Sequence, residues 1–204
     1  NIKEYGLIIL HQLPSGIQRL SELARQIREQ KKSVWFIAGS QTAYTELNKW
    51  QGAVVINANG DKTNDVTAAF NTSFSLFTMS EKCKQGITKL PPLSAPFGDF
   101  KSNPAAQVLL QQKINNVSTD YPILSFYEGT ENKVAVLCAE GFWRWRLYDY
   151  SLNKSHEVTN ELVNKTIQYL SLKTDKRPFR VLADKNIFGD NEAVTFQAEL
   201  YNAN

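Results

Sequence analysis

Apolar residues first gather in a continuous run over residues 5–10, Tyr5-Gly6-Leu7-Ile8-Ile9-Leu10, the pattern of a strand covered on both faces. The run stops at His11-Gln12-Leu13-Pro14. Ile17, Leu20, Leu23, Ala24 and Ile27 then recur at helical spacing, with Ser15 and Gln18 placed as a capping box. The charged stretch 28–32 closes that helix with basic residues, where they suit its dipole. A second apolar strand is predicted over 33–38 and ends at Gly39-Ser40. Strand, helix and strand joined so closely predict a right-handed parallel unit, hence an α/β architecture.

Residues 41–50 predict a short helix with Ala43, Leu47 and Trp50 on one side, and 53–56 a short strand. The pattern then breaks over 57–101. Turn-rich Asn57-Ala58-Asn59-Gly60-Asp61, the aromatic series Phe70, Phe74, Phe77 and the prolines Pro91, Pro92 and Pro96 predict an extended excursion with few regular elements. Strand signals return over 106–114, 122–127 and 133–138, and Gly129-Thr130-Glu131-Asn132 joins the last two as neighbours or a hairpin. Gly141-Phe142-Trp143-Arg144-Trp145-Arg146-Leu147 follows, read as a segment over the sheet end. A helix is predicted over 155–171, with Val158, Leu162, Thr166, Tyr169 and Leu170 on one face. Beyond a charged break at 173–178, strand character at 179–182 and 193–200 flanks the polar turn Gly189-Asp190-Asn191. Two strands cannot bury a sheet alone, so they are expected to open a β-sandwich that continues past residue 204.

A chain of 204 residues, 42% apolar, suffices for one buried core and part of another domain. The 23 basic and 20 acidic residues leave a charge of +3 spread along the sequence, so neither nucleic acid nor an anionic membrane is expected as a partner. No apolar run approaches the roughly 18–20 residues that span a bilayer. With no initiator Met and no signal-peptide pattern, the sequence reads as a piece of a longer protein.

His11 and His156 are the only histidines, Cys83 and Cys138 the only cysteines, and none stands at metal-ligand spacing. No metal and no cofactor are expected: Gly39-Ser40-Gln41 and Gly52-Ala53 do not make a phosphate-binding fingerprint. Cys138, inside an apolar strand, reads as a buried small hydrophobe, and nothing supports a disulfide to Cys83. Ser40 follows a strand at the carboxyl edge where α/β sites form, and His11 ends the neighbouring strand. A serine hydrolase would use Ser40 with His11 or His156 and a carboxylate such as Glu140. Because Gly39-Ser40-Gln41-Thr42 lacks the second glycine of a nucleophile elbow, Ser40 reads first as a helix cap and His11 as a strand-end polar residue. Trp143, Arg144, Trp145 and Arg146 bring together indoles and guanidinium groups suited to carbohydrate, peptide or anionic ligands. Their structural alternative is cover for the sheet end, with Arg144 or Arg146 paired to Glu140 or Asp149.

Gly141-Phe142-Trp143-Arg144-Trp145-Arg146-Leu147, with Leu10-His11-Gln12-Leu13-Pro14-Ser15 and Trp35-Phe36-Ile37-Ala38-Gly39, resembles a group of large Bacteroidetes proteins labelled von Willebrand factor A domain-containing or hypothetical. The resemblance implies a class I glutamine amidotransferase-like domain over 1–175: a flavodoxin-like three-layer α/β fold with a mainly parallel sheet. It leaves room for a further strand–helix unit ahead of residue 1 and makes 176–204 the start of a truncated immunoglobulin-like β-sandwich. Active members of the amidotransferase class carry a Cys on a strand-to-helix turn and a His after a later strand. Here Ser40-Gln41 and Ala139-Glu140-Gly141 stand at the resembling positions. The resemblance therefore implies a pseudoenzyme, a non-catalytic binding or scaffold domain of a larger cell-envelope protein, periplasmic or extracytoplasmic. Its partners would be other domains of the same chain or envelope proteins.

Overall fold

The computed structural model describes residues 2–17, 20–115, 117–130, 132–172, 179–183 and 196–200. In chain order the elements are β1 (Leu7–His11), α1 (Ser21–Glu29), β2 (Ser33–Ile37), α2 (Tyr44–Trp50), β3 (Val54–Phe70), α3 (Glu81–Ile87), β4 (Leu93–Ser102), β5 (Gln107–Ile114), β6 (Val117–Glu128), β7 (Lys133–Leu137), α4 (Phe142–Asn153), α5 (Glu157–Ser171), β8 (Phe179–Ala183) and β9 (Phe196–Leu200). They form two units, Asn1–Leu172 and Lys173–Asn204.

The first unit is an α/β domain around a seven-stranded sheet ordered β1-β2-β7-β6-β5-β3-β4. Strands β1, β2 and β7 run parallel, with Trp35 beside Ala135 and Phe36 beside Val136. All five residues of β7 are buried, which is why its sequence is apolar without alternation. From β7 outward every pairing is antiparallel. The expected mainly parallel sheet is therefore confined to one half, and the sheet as a whole is mixed. Short connections at 115–116 and 129–132 join β5 to β6 and β6 to β7, and connections that short close only antiparallel pairs.

Helices cover both faces. Ala24 and Ile27 of α1, Trp50 of α2, Phe36 and Tyr127 line one cleft, which puts α1 and α2 on the same side. Phe126, one residue out of phase with Tyr127, stacks edge-on to Tyr169 of α5 on the opposite side, with ring centroids 5.4 Å apart. Phe74 and Phe77 join Phe126 at 5.6 and 5.4 Å, so these aromatic residues after β3 complete this core. α3 lies against α5, where a Cβ on Gly86 would meet Val158 Cγ2 at 2.5 Å; only glycine permits that approach. Lys133, though buried, aims its Nζ at the Leu172 carbonyl, 3.1 Å away, and lies over the Tyr169 ring. A cation there offsets the carbonyl end of α5.

Three further sequence expectations are corrected. The helix predicted from Ser15 starts at Ser21, after Leu20 in a left-handed conformation; Ser15 instead bridges to Thr42, and Gln18 lies outside the described residues. The predicted excursion over 57–101 contains most of β3, all of α3 and nearly all of β4. Its turn-rich residues form a bulge: the β3–β4 register shifts between Ala58 and Thr63, with Gly60 at φ 66°. Pro96 is tolerated because β4 is an edge strand. The Trp/Arg segment is not a cover strap but the first turns of α4, started by Gly141 at φ 99°.

The second unit contains β8 and β9, antiparallel with Phe179 opposite Leu200. The predicted turn at Gly189-Asp190-Asn191 lies outside the described residues.

Candidate functional site

The three parallel strands end at one edge, and their following residues meet there: His11-Gln12 after β1, Ala38 to Gln41 after β2, and Cys138 to Glu140 after β7. Backbone hydrogen bonds extend the sheet into this edge, from Gln12 N–H to Ile37 O at 2.7 Å and from Ala38 N–H to Leu137 O at 2.8 Å. Glu140 is pinned in both directions to Ser94, at 2.8 and 2.9 Å. That bridge ties the parallel strands to the start of β4.

Ser40 and Glu140 do come together. Ser40 donates its backbone N–H to Glu140 Oε2 at 2.7 Å. The Ser40 N–H is the largest influence holding the Glu140 carboxyl below its ordinary value of 4.5; partial burial opposes it, while the Ser40 hydroxyl, the Gln12 side chain and the charge of His11 assist. Gln12 Oε1 accepts the Gln41 N–H at 3.0 Å. Gly39 donates its N–H to Thr42 Oγ1 at 3.0 Å, and its carbonyl accepts from the Tyr44 hydroxyl at 3.1 Å. The α2 entry is closed further by Ala43 N–H on Pro14 O at 2.9 Å.

This connectivity differs from that of a hydrolase. A triad passes the serine proton to an imidazole that a carboxylate orients, whereas here the carboxylate accepts the Ser40 backbone N–H. Among the described residues no imidazole is hydrogen-bonded to Ser40. The N–H of the residue after an elbow nucleophile, which would face a developing oxyanion, is that of Gln41, and Gln12 already holds it. A cleft of about 400 Å³ opens beside the edge, lined by His11, Gln12, Leu13, Ser15, Ile17 and Gln41 but not by Ser40. His156 serves elsewhere: its Nδ1 lies 3.0 Å from Arg146 O, and its ring packs on Tyr150 at the α4–α5 joint. Next to it Asp149 is buried, accepting the Thr159 N–H at 3.0 Å and the Asn153 amide at 2.8 Å. Burial works to raise the Asp149 carboxyl, and these donors outweigh it.

Both thiols are free and buried. Burial pushes Cys83 up to about 12 and Cys138 upward as well, so neither supplies a thiolate near neutral pH. Among the described residues no group of three or more His, Cys, Asp and Glu could hold a metal ion.

The Trp/Arg run divides. Trp145 is 0% exposed and donates its indole N–H to Pro91 O at 2.7 Å, so it is a core anchor with no face left for a ligand. Trp143 is 65% exposed. Arg146 reaches Asn160 Oδ1 at 2.6 Å, and Arg144 folds its guanidinium toward Gly141. Neither has the carboxylate partner expected at Glu140 or Asp149, both of which are already engaged. What the sequence missed is α4 itself, which turns Leu147, Tyr148, Tyr150 and Leu152 outward. The spacing of Trp143, Leu147 and Tyr150, four and three residues apart, was the available signal.

No family model matches the chain, and no curated protein matches it. Among solved structures it is similar to a cytoplasmic protein from Salmonella typhimurium, with TM-score 0.52, 17% identity, and coverage of 83% of this chain and 73% of that one. A second cytoplasmic protein, from Salmonella typhimurium LT2, gives TM-score 0.50, 12% identity, and coverage of 80% and 72%. The likeness shows the fold alone. A beta-galactosidase from Bacillus circulans sp. alkalophilus is more distant at TM-score 0.45 and 10% identity; this chain spans 26% of its length.

Proposed function

We propose that the chain is a non-catalytic binding or scaffold domain of a larger cell-envelope protein, built on a flavodoxin-like, class I glutamine amidotransferase-like fold that has lost its Cys and His, with residues after 176 opening a β-sandwich. The observation that carries this reading is the Ser40–Glu140 contact. It sets the Glu140 carboxylate on a backbone amide of the strand-to-helix joint, while Gln12 occupies the adjacent amide. Glutamine, ester and amide substrates should show no turnover above buffer. Turnover abolished by Ser40→Ala would overturn the reading.

The nearness of Ser40, Glu140 and His11 favours a serine hydrolase as the second reading. It requires the Ser40 hydroxyl to reach the His11 imidazole on binding substrate. A rate unaffected by His11→Gln would remove it.

A further inference from the structure

Seven of the 12 residues of α4 are aromatic or leucine, and they are spread around the helix instead of gathered on one side. Only one side is covered. Trp145 and Asp149 face inward, whereas Trp143, Leu147 and Tyr150 are 65, 62 and 52% exposed. The last three follow one another at four- and three-residue steps and so form one stripe, while Tyr148 and Leu152, also exposed, lie farther round the helix. Aromatic side chains present about 150–250 Å² each, so the stripe at these exposures leaves on the order of 300 Å² of apolar surface. Isolated exposed apolar residues are ordinary, but a contiguous patch in the range of roughly 300–600 Å² is the largest that monomers carry and is often an interaction site.

The charges choose the occupant. Arg146 flanks the stripe one turn before Tyr150, and Arg144 lies one turn before Tyr148. Neither forms an ion pair among the described residues, and the helix's only carboxylate, Asp149, is buried beneath. A second copy of this face would set arginines against a surface with no exposed acid on its helix. We infer that the outward face of α4 is a docking surface for an acidic amphipathic protein segment, whose apolar side chains cover Trp143, Leu147 and Tyr150 while its carboxylates meet Arg144 and Arg146. The inference rests on the binding-domain reading, and the two fail separately: turnover at Ser40 ends that reading without involving α4.

The test pans a phage-displayed library of random 12-residue peptides on the full 204-residue chain, then measures synthetic versions of the enriched peptides by fluorescence anisotropy. Enriched sequences should combine Leu, Ile, Phe or Trp with Asp or Glu. Their affinity should fall at least about tenfold with Leu147→Asp and about threefold with Arg146→Gln, in line with a buried apolar contact and an exposed charge pair. Trp143→Ser provides an independent second variant, and circular dichroism checks that all three fold. No enrichment, enrichment without acidic residues, or binding indifferent to Leu147→Asp and Trp143→Ser would overturn the inference. So would a dimer at micromolar concentration that Leu147→Asp dissociates, since that assigns the face to a second copy.

Discussion

The carboxyl edge of β1, β2 and β7 and the outward face of α4 carry opposite kinds of residue and opposite degrees of satisfaction. At the edge, a serine, a carboxylate, a glutamine and two amides sit where α/β proteins commonly bind ligands, yet the polar groups described there bond to one another. On α4, large apolar side chains face outward with little to meet them, and the arginines beside them have a neutral amide and the Gly141 backbone for neighbours. Residue types associated with chemistry thus supply a joint, and residue types associated with cores supply the open surface. Which groups still lack a partner in the folded chain is therefore a better guide to function than which groups could react.

The sharpest way to test that contrast is within α4. Trp145→Ala should destabilise the domain by about 3–5 kcal/mol, because it leaves a large cavity and strips Pro91 O of its donor. Trp143→Ala should stay within about 0.5 kcal/mol. Urea unfolding followed by circular dichroism measures both, and equal effects would erase the distinction between the inner and outer faces.

At the edge, Glu140→Gln should cost about 1 kcal/mol near neutral pH, since an amide oxygen still accepts from Ser40 N–H but without charge. The pH dependence gives a second readout. Because the folded-state carboxyl is held below 4.5, its stabilisation is present above that value and lost as pH falls through the lower folded one. Denaturation midpoints of the wild type should therefore decline more steeply below pH 4.5 than those of Glu140→Gln. Parallel profiles would mean that Glu140 is not held as described. The smallest expected effect concerns the thiols. Native protein should show no reaction with a disulfide reagent at pH 8, and Cys83 and Cys138 should both react once unfolded, as read by absorbance.

The parallel half of the sheet was legible because its strands are continuous apolar runs bounded by turns, and α5 because its buried positions recur at helical spacing. The antiparallel half was not. In β3 the residues Asn57 to Asp61 carry turn chemistry, but a bulge uses the same chemistry inside a strand, and only the β4 partner distinguishes the two. In α4 the alternation Trp143-Arg144-Trp145-Arg146 mimics a two-residue period, while the longer spacing through Leu147 and Tyr150 is helical. Of the candidate site, Ser40 and Glu140 were named only as members of one hydrolase constellation with His11 or His156, and the β2–β7 pairing that brings them together was not predicted. That Glu140 binds Ser40 directly, and that Gln12 fills the next amide, depends on side-chain geometry that a linear pattern does not carry.

The central claim is that Ser40 is a joint residue and not a nucleophile. Intact-mass spectrometry of the folded chain after incubation with excess fluorophosphonate probe tests it most directly. The account predicts an unchanged mass at neutral pH. A single stoichiometric adduct mapped to Ser40 and abolished by His11→Gln would contradict it.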